Sequence, residues 1–142
     1  MREILFRGKR IDNGEWWYGL PLRTLNKDGE DVLNIQCWER DEDGVTGIYD
    51  PVTPDTIGQF TGLTDKNGKK IFEGDIVSRF INWLGQKVNG VIEYDTEVAS
   101  WVCRPLNIES KVSTFLADWL HGNDAEIIGN IHDNPELLEA DK

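Results

Sequence analysis

Soft metal ligands are scarce in this 142-residue chain, which has two cysteines and two histidines. A zinc site needs three or four nitrogen and sulfur ligands. Cys37, Cys103, His121 and His132 match the spacing of no zinc finger or HExxH pattern. The expectation is a protein without metal or cofactor. The distant cysteines form no CxxC pair, which predicts reduced thiols in a cytoplasmic protein. Long apolar runs are also missing, and nothing approaches the ~18 residues of a membrane span. The opening Met1-Arg2-Glu3-Ile4-Leu5-Phe6-Arg7 breaks its apolar run too early for a signal peptide. Basic residues are few, 15 against 26 acids, for a net charge of −11. That argues against sequence-indifferent nucleic-acid binding, whose affinity comes from cations displacing counterions.

Catalytic patterns are absent as well. There is no GxxxxGK followed by Ser or Thr, no GxGxxG after a strand, and no GxSxG elbow. Asn67-Gly68-Lys69-Lys70 reads as a hairpin tip rather than a phosphate loop. Asp41-Glu42-Asp43-Gly44 gathers carboxylates before a glycine but lacks EF-hand spacing, so a solvated acidic loop is expected. With 26 acids, any pair of carboxylates is weak evidence for acid–base chemistry. His121 before Gly122 suits a helix C-terminus, and His132 beside Asp133 suits an exposed pair. No catalytic residue is assigned.

The chain does carry enough apolar material for a core. Hydrophobic residues make up 39% and fourteen glycines join them, which excludes wholesale disorder. The length fits one domain, residues 1–142, with subdomains at 1–55 and 56–142 as an option. Acidity is segregated. Residues 24–55 hold nine acids against Lys27 and Arg40, and residues 118–142 hold seven against Lys142. Either solvated loops or an acidic docking face for a basic partner would produce this.

Short strands and glycine turns dominate. Segments 4–10 and 16–22 flank Asp12-Asn13-Gly14, a strong hairpin signal because both turn positions tolerate positive φ. Segment 32–38 alternates Leu33, Ile35 and Cys37 with Asn34 and Gln36, and 39–44 is expected to be a loop. Pro51 and Pro54 impose an extended connection. Further strands are expected at 56–60, 76–83, 88–94, 100–104 and 126–131, the Gly-Asp-Ile-Val run and its successors suggesting an SH3-like barrel. One segment has helical spacing: Val112, Phe115, Leu116, Trp119 and Leu120 form an apolar stripe, with Ser110 or Ser113 as cap and Gly122 as stop. Asn134-Pro135 can start a short terminal helix.

Aromatics supply the remaining signal. Trp16, Trp17 and Tyr18 are consecutive on a strand, so they cannot all face one core. One face is expected to project as a self-association or partner surface, since tryptophan and tyrosine concentrate at interface hot spots. Arg7, Lys9 and Arg10 on the paired strand offer an alternative, a stacking platform for single-stranded nucleic acid. A small hydrolase built from scattered Asp, His and Ser is the third option.

Three blocks resemble the YopX family of small phage and prophage proteins. The first is Phe6-Arg7-Gly8-Lys9 with Gly14-Glu15-Trp16-Trp17-Tyr18-Gly19. The second runs from Thr56 through Thr61-Gly62-Leu63-Thr64-Asp65-Lys66-Asn67-Gly68 to Ile71-Phe72-Glu73-Gly74-Asp75-Ile76-Val77. The third is Ile128-Gly129-Asn130-Ile131-His132-Asp133-Asn134-Pro135-Glu136-Leu137-Leu138. The resemblance implies a mostly β fold, an N-terminal hairpin and sheet region followed by a barrel-like part with one short helix. It implies a phage or prophage origin and supplies no catalytic residues. Turn geometry accounts for the glycines, and Asp65 and Asp75 are expected to accept hydrogen bonds from turn amides. The function expected is a non-enzymatic accessory protein that binds itself and a host or phage protein.

Overall fold

The computed structural model describes residues 2–139 and divides the chain into two compact units, Met1–Phe60 and Thr61–Lys142. In the first, β1 (Phe6–Lys9) and β2 (Trp16–Leu25) form the expected hairpin around Asn13-Gly14. Gly14 takes φ +71°, and the Asn13 side chain accepts the Glu15 amide at 2.9 Å. β3 (Asp31–Asp41) and β4 (Gly44–Pro51) follow, then a 3-10 turn at Pro54–Thr56 and β5 (Gly58–Thr64), which crosses into the second unit. The strand order is β4-β3-β2-β1-β5, with β1 antiparallel to both neighbours.

Segment 39–44 is not the loop its acidity suggested. β3 runs on to Asp41, turns over Glu42-Asp43, and returns as β4 in unbroken register from Asp41↔Gly44 to Asn34↔Pro51. The Asp41 carboxylate accepts the Asp43 amide at 2.9 Å, closing the turn. The acids belong there because this end of the hairpin is exposed and needs no core-facing side chain.

In the second unit β5 pairs with β6 (Lys70–Phe72) around Asn67-Gly68. β7 (Asp75–Ile81), β8 (Gln86–Asp95), β9 (Ser100–Pro105), β10 (Thr114–Phe115) and β11 (Glu126–Asn130) form a five-stranded sheet in the order β10-β9-β8-β7-β11. All pairings in it are antiparallel. β10 and β11 are its edges, so this sheet is open and does not close into the SH3-like barrel anticipated. Both faces are covered. Val77, Val88, Ile92 and Cys103 pack with Leu116 and Trp119, while Ile76, Val91 and Leu106 pack with Ile131, Leu137 and Leu138. The consecutive pairs Ile76-Val77 and Val91-Ile92 are therefore covered on both sides, as buried strands require, while Phe80 and Tyr94 toward the strand ends stay exposed.

The helix expected over the Val112–Leu120 stripe is cut to one turn, α1 (Leu116–Trp119). Thr114 and Phe115 are drawn into the sheet against Cys103 and Val102. Val112 and Phe115 are left exposed, while Leu116 and Trp119 carry the packing. Neither Ser110 nor Ser113 caps α1, which begins at Phe115 with no side-chain cap. A ten-residue helix is marginal alone, and two ladder pairs plus two deep anchors outweigh its propensity. Gly122 does adopt the left-handed conformation expected of it, φ +97°. A short terminal helix, α2 (Glu136–Glu139), follows Pro135.

Candidate functional site

The β1–β2 register decides where the hairpin side chains point. Arg7↔Tyr18 and Lys9↔Trp16 are direct pairs and share one face; Gly8↔Trp17 lies on the other, with Arg10 continuing it. The cations are already engaged. Arg7 Cζ sits 4.5 Å and Lys9 Nζ 5.5 Å from the Trp16 ring centroid, and Arg10 Cζ is 5.0 Å from that of Trp17. Such contacts contribute roughly 0.5–1 kcal/mol when exposed and more when desolvated. Arg7 is 6% exposed. Arg10 Nη2 also pairs with Asp12 at 2.8 Å and Asp50 at 3.4 Å. These two carboxylates, with Ile11, Val32 and Pro51, line an open cleft of 410 Å³.

Of the three consecutive aromatics, Tyr18 projects furthest, while Trp16 and Trp17 are half-buried. Tyr18 does not stand alone. Leu20 follows on its face of β2 and pairs with Gln36, which pairs in turn with Tyr49. Alternation then places Trp38 and Val45 on the same side. Tyr18, Leu20, Trp38, Val45 and Tyr49 are all exposed, Trp38 most of all at 64%. The Trp38 ring lies across Gly47, where a Cβ would come within 2.9 Å of it. The buried apolar residues of this unit are few: Ile35, Val52 and Phe60 among the described residues.

Sequence reasoning found Tyr18 but missed Leu20, Trp38, Val45 and Tyr49. A signal was present. If Leu33, Ile35 and Cys37 face one way, Trp38 must face the other. Asp43-Gly44 between two alternating runs also marks a hairpin.

The remaining motif residues hold turns. Asp65 Oδ1 accepts the Asn67 and Lys69 amides, each at 2.9 Å, and Oδ2 accepts the Ile127 amide at 3.1 Å. Burial alone would raise this carboxyl, but the Ile127, Lys69 and Asn67 amides and the Lys69 charge outweigh it and hold it below its ordinary value. Asp75 accepts the Phe72 amide at 2.8 Å. Asn130 Oδ1 accepts the His132 and Asp133 amides, while Asn134 Oδ1 accepts that of Asn130. Among the described residues no three His, Cys, Asp or Glu side chains are grouped to hold a metal. No helix among them is long and apolar enough to cross a membrane. Burial pushes the Cys103 thiol far up, with Glu93 adding to the effect and Arg104 and Arg79 opposing it, so it stays a protonated core residue.

The family model described as YopX protein matches residues 5–139. The chain belongs to the YopX family. The three blocks that resemble the family in sequence fall on the β1–β2 hairpin, the β5–β7 turns and the β11–α2 turn. The crystal structure of protein EF1440 from Enterococcus faecalis is similar, with a TM-score of 0.59 at 23% identity. The match covers 97% of this chain and 99% of that one, and at this identity it speaks for a shared fold. No curated protein matches the sequence.

Proposed function

We propose that this YopX-family chain is a non-enzymatic protein-binding module of phage or prophage origin. In this reading its N-terminal sheet docks a host or phage protein and a second copy of itself, in the cytoplasm of a bacterial host. The carrying observation is the exposed face formed by Tyr18, Leu20, Trp38, Val45 and Tyr49. Contiguous exposed apolar patches mark interaction surfaces, and aromatic residues dominate binding energy where they are desolvated. These side chains are about half exposed, so each has roughly 1 kcal/mol of burial still to gain. A two-fold contact counts each of them twice. The stacking-platform alternative draws less support from the same geometry. Arg7 is buried and Arg10 is ion-paired, which leaves the hairpin little free positive charge for phosphates.

Light scattering on the wild type and Trp38→Ala, at low and high salt, tests this reading. The wild type should exceed the monomer mass at tens of micromolar. Association should strengthen with salt, because screening weakens repulsion between chains of net charge −11. Trp38→Ala should weaken it. A wild type that is monomeric throughout would overturn self-association. An oligomer indifferent to Trp38→Ala would remove this face from it.

A further inference from the structure

The outer edge of β4 has a hydrogen-bonding phase that can be read from one bond. The Val52 amide donates to the Leu33 carbonyl at 3.0 Å, which makes Asn34↔Pro51 a pair without mutual backbone bonds. The register is unbroken, so Gln36↔Tyr49, Trp38↔Gly47 and Arg40↔Val45 are pairs of the same kind. The N–H and C=O groups of Val45, Gly47 and Tyr49 therefore point away from β3, along the free edge. Pro51 fits this phase, since its missing N–H would have faced outward. The Ile11 amide caps its carbonyl at 3.1 Å, ending the open edge there.

Natural edge strands are protected by lysine, proline, bulges or charge. Val45-Thr46-Gly47-Ile48-Tyr49 carries none of these. We infer that β4 pairs antiparallel with β4 of a second copy about a two-fold axis through Gly47. This rests on the self-association proposed above and gives it a geometry. Gly47 then faces Gly47 of the second copy, and Val45 faces Tyr49 in both directions. All six outward N–H and C=O groups on each chain are satisfied, in six bonds. Val45 and Tyr49 meet as aromatic–β-branched pairs, and Thr46 opposes Ile48 on the other face.

Charge selects a second copy as the occupant. The open edge from Val45 to Tyr49 is neutral, so a charged peptide would find no complement on it, and where Asp43 approaches Asp50 of the second copy at its ends, Arg10 pairs with Asp50 at 3.4 Å. The two acidic tips at Glu42-Asp43 lie on opposite sides of the axis. Nine residues separate them, about 30 Å at ~3.4 Å per residue, well beyond the Debye length of ~8 Å. The paired sheets would also join their exposed aromatic faces into one.

Amide hydrogen exchange by NMR on the whole chain, at micromolar and near-millimolar concentration, tests the pairing, with light scattering on the same samples. The Val45, Gly47 and Tyr49 amides should become protected as concentration rises. Those of Thr46 and Ile48, bonded to β3, should be protected throughout. Val45→Pro removes an outward N–H at the phase Pro51 already occupies. It should weaken association at least about tenfold, two lost bonds in the symmetric pair. An oligomer whose three outward amides exchange freely at high concentration would overturn the β4 pairing and leave self-association standing. A chain that never associates would overturn both.

Discussion

Asp65 holds three backbone amides from two parts of the second unit, so it is the place where one carboxylate should matter most. Asn67 and Lys69 belong to the turn between β5 and β6, whereas Ile127 begins the distant pairing of β11. The side chain is 5% exposed, so water does not readily replace it. Asp65→Ala leaves three donors without their acceptor. At about 1–3 kcal/mol for each buried unsatisfied group, the loss should be about 3 kcal/mol or more. Asp65→Asn is the sharper test. Its carbonyl oxygen can still accept the Asn67 and Lys69 amides, but its amide nitrogen would face the Ile127 N–H, donor against donor. One unsatisfied donor predicts a cost of about 1–3 kcal/mol.

The pH dependence follows from the depressed folded value. The stabilisation is complete above the unfolded carboxyl value of about 3.9 and disappears as pH falls through the lower folded value. Asn does not titrate, so the stability gap between wild type and Asp65→Asn should be constant near neutrality and narrow in acid. Urea denaturation across pH measures the gap, and an NMR titration of the Asp65 carboxyl locates its midpoint. A midpoint at or above about 3.9, or a gap that does not narrow in acid, would refute the account.

Other perturbations read different parts of the same unit. A Cβ at Gly90 would run into Cys103 Sγ, so Gly90→Ala should cost about 1–3 kcal/mol by overpacking. Adding Cys103→Ala should recover part of that in a double-mutant cycle, and strict additivity would show the contact is not responsible. Thiol alkylation should label half-buried Cys37 in the native protein and leave buried Cys103 untouched until denaturant is added. Equal native labelling would contradict its position in the core.

Periodicity and turn chemistry made much of this fold legible, and the failures have physical causes. Asn13-Gly14 and Asn67-Gly68 set their hairpins locally, so they could be read without tertiary information. The amide-binding roles of Asp65 and Asp75 followed from turn chemistry, although the reach of Asp65 to Ile127 spans sixty-two residues and no local pattern encodes it. Acidity hides the β3–β4 hairpin end, because a polar run reads as a loop although an exposed hairpin end accepts acids without cost. The Val112–Leu120 stripe misled for the opposite reason. Its spacing is helical, but pairing of Thr114 and Phe115 with β9 claims the residues that would have formed the first turns. The candidate surface was legible only at Tyr18: Leu20 follows it on the expected strand without an aromatic signal, and Trp38, Val45 and Tyr49 lie on the β3–β4 pair, whose second strand the acidic run masks.

Both units leave apolar residues in solvent, but the first gathers Tyr18, Leu20, Trp38, Val45 and Tyr49 on one sheet face, whereas in the second Trp83, Val98 and Val112 lie in connections between strands. In the second unit both faces of the sheet are covered, by Leu116 and Trp119 on one side and by Ile131, Leu137 and Leu138 on the other. Asp65, Asp75 and Asn130 there accept turn amides. Such residues specify a fold. In the first unit a tryptophan and two tyrosines stand in solvent on one sheet face, beside the outer edge of β4. Under the proposed docking role, this face is left open for a partner. Leaving it open carries a solubility penalty that a net charge of −11 can offset. In that proposed role, the acidity and the uncovered aromatics are two halves of one arrangement, in which repulsion keeps the face available until a partner displaces its water.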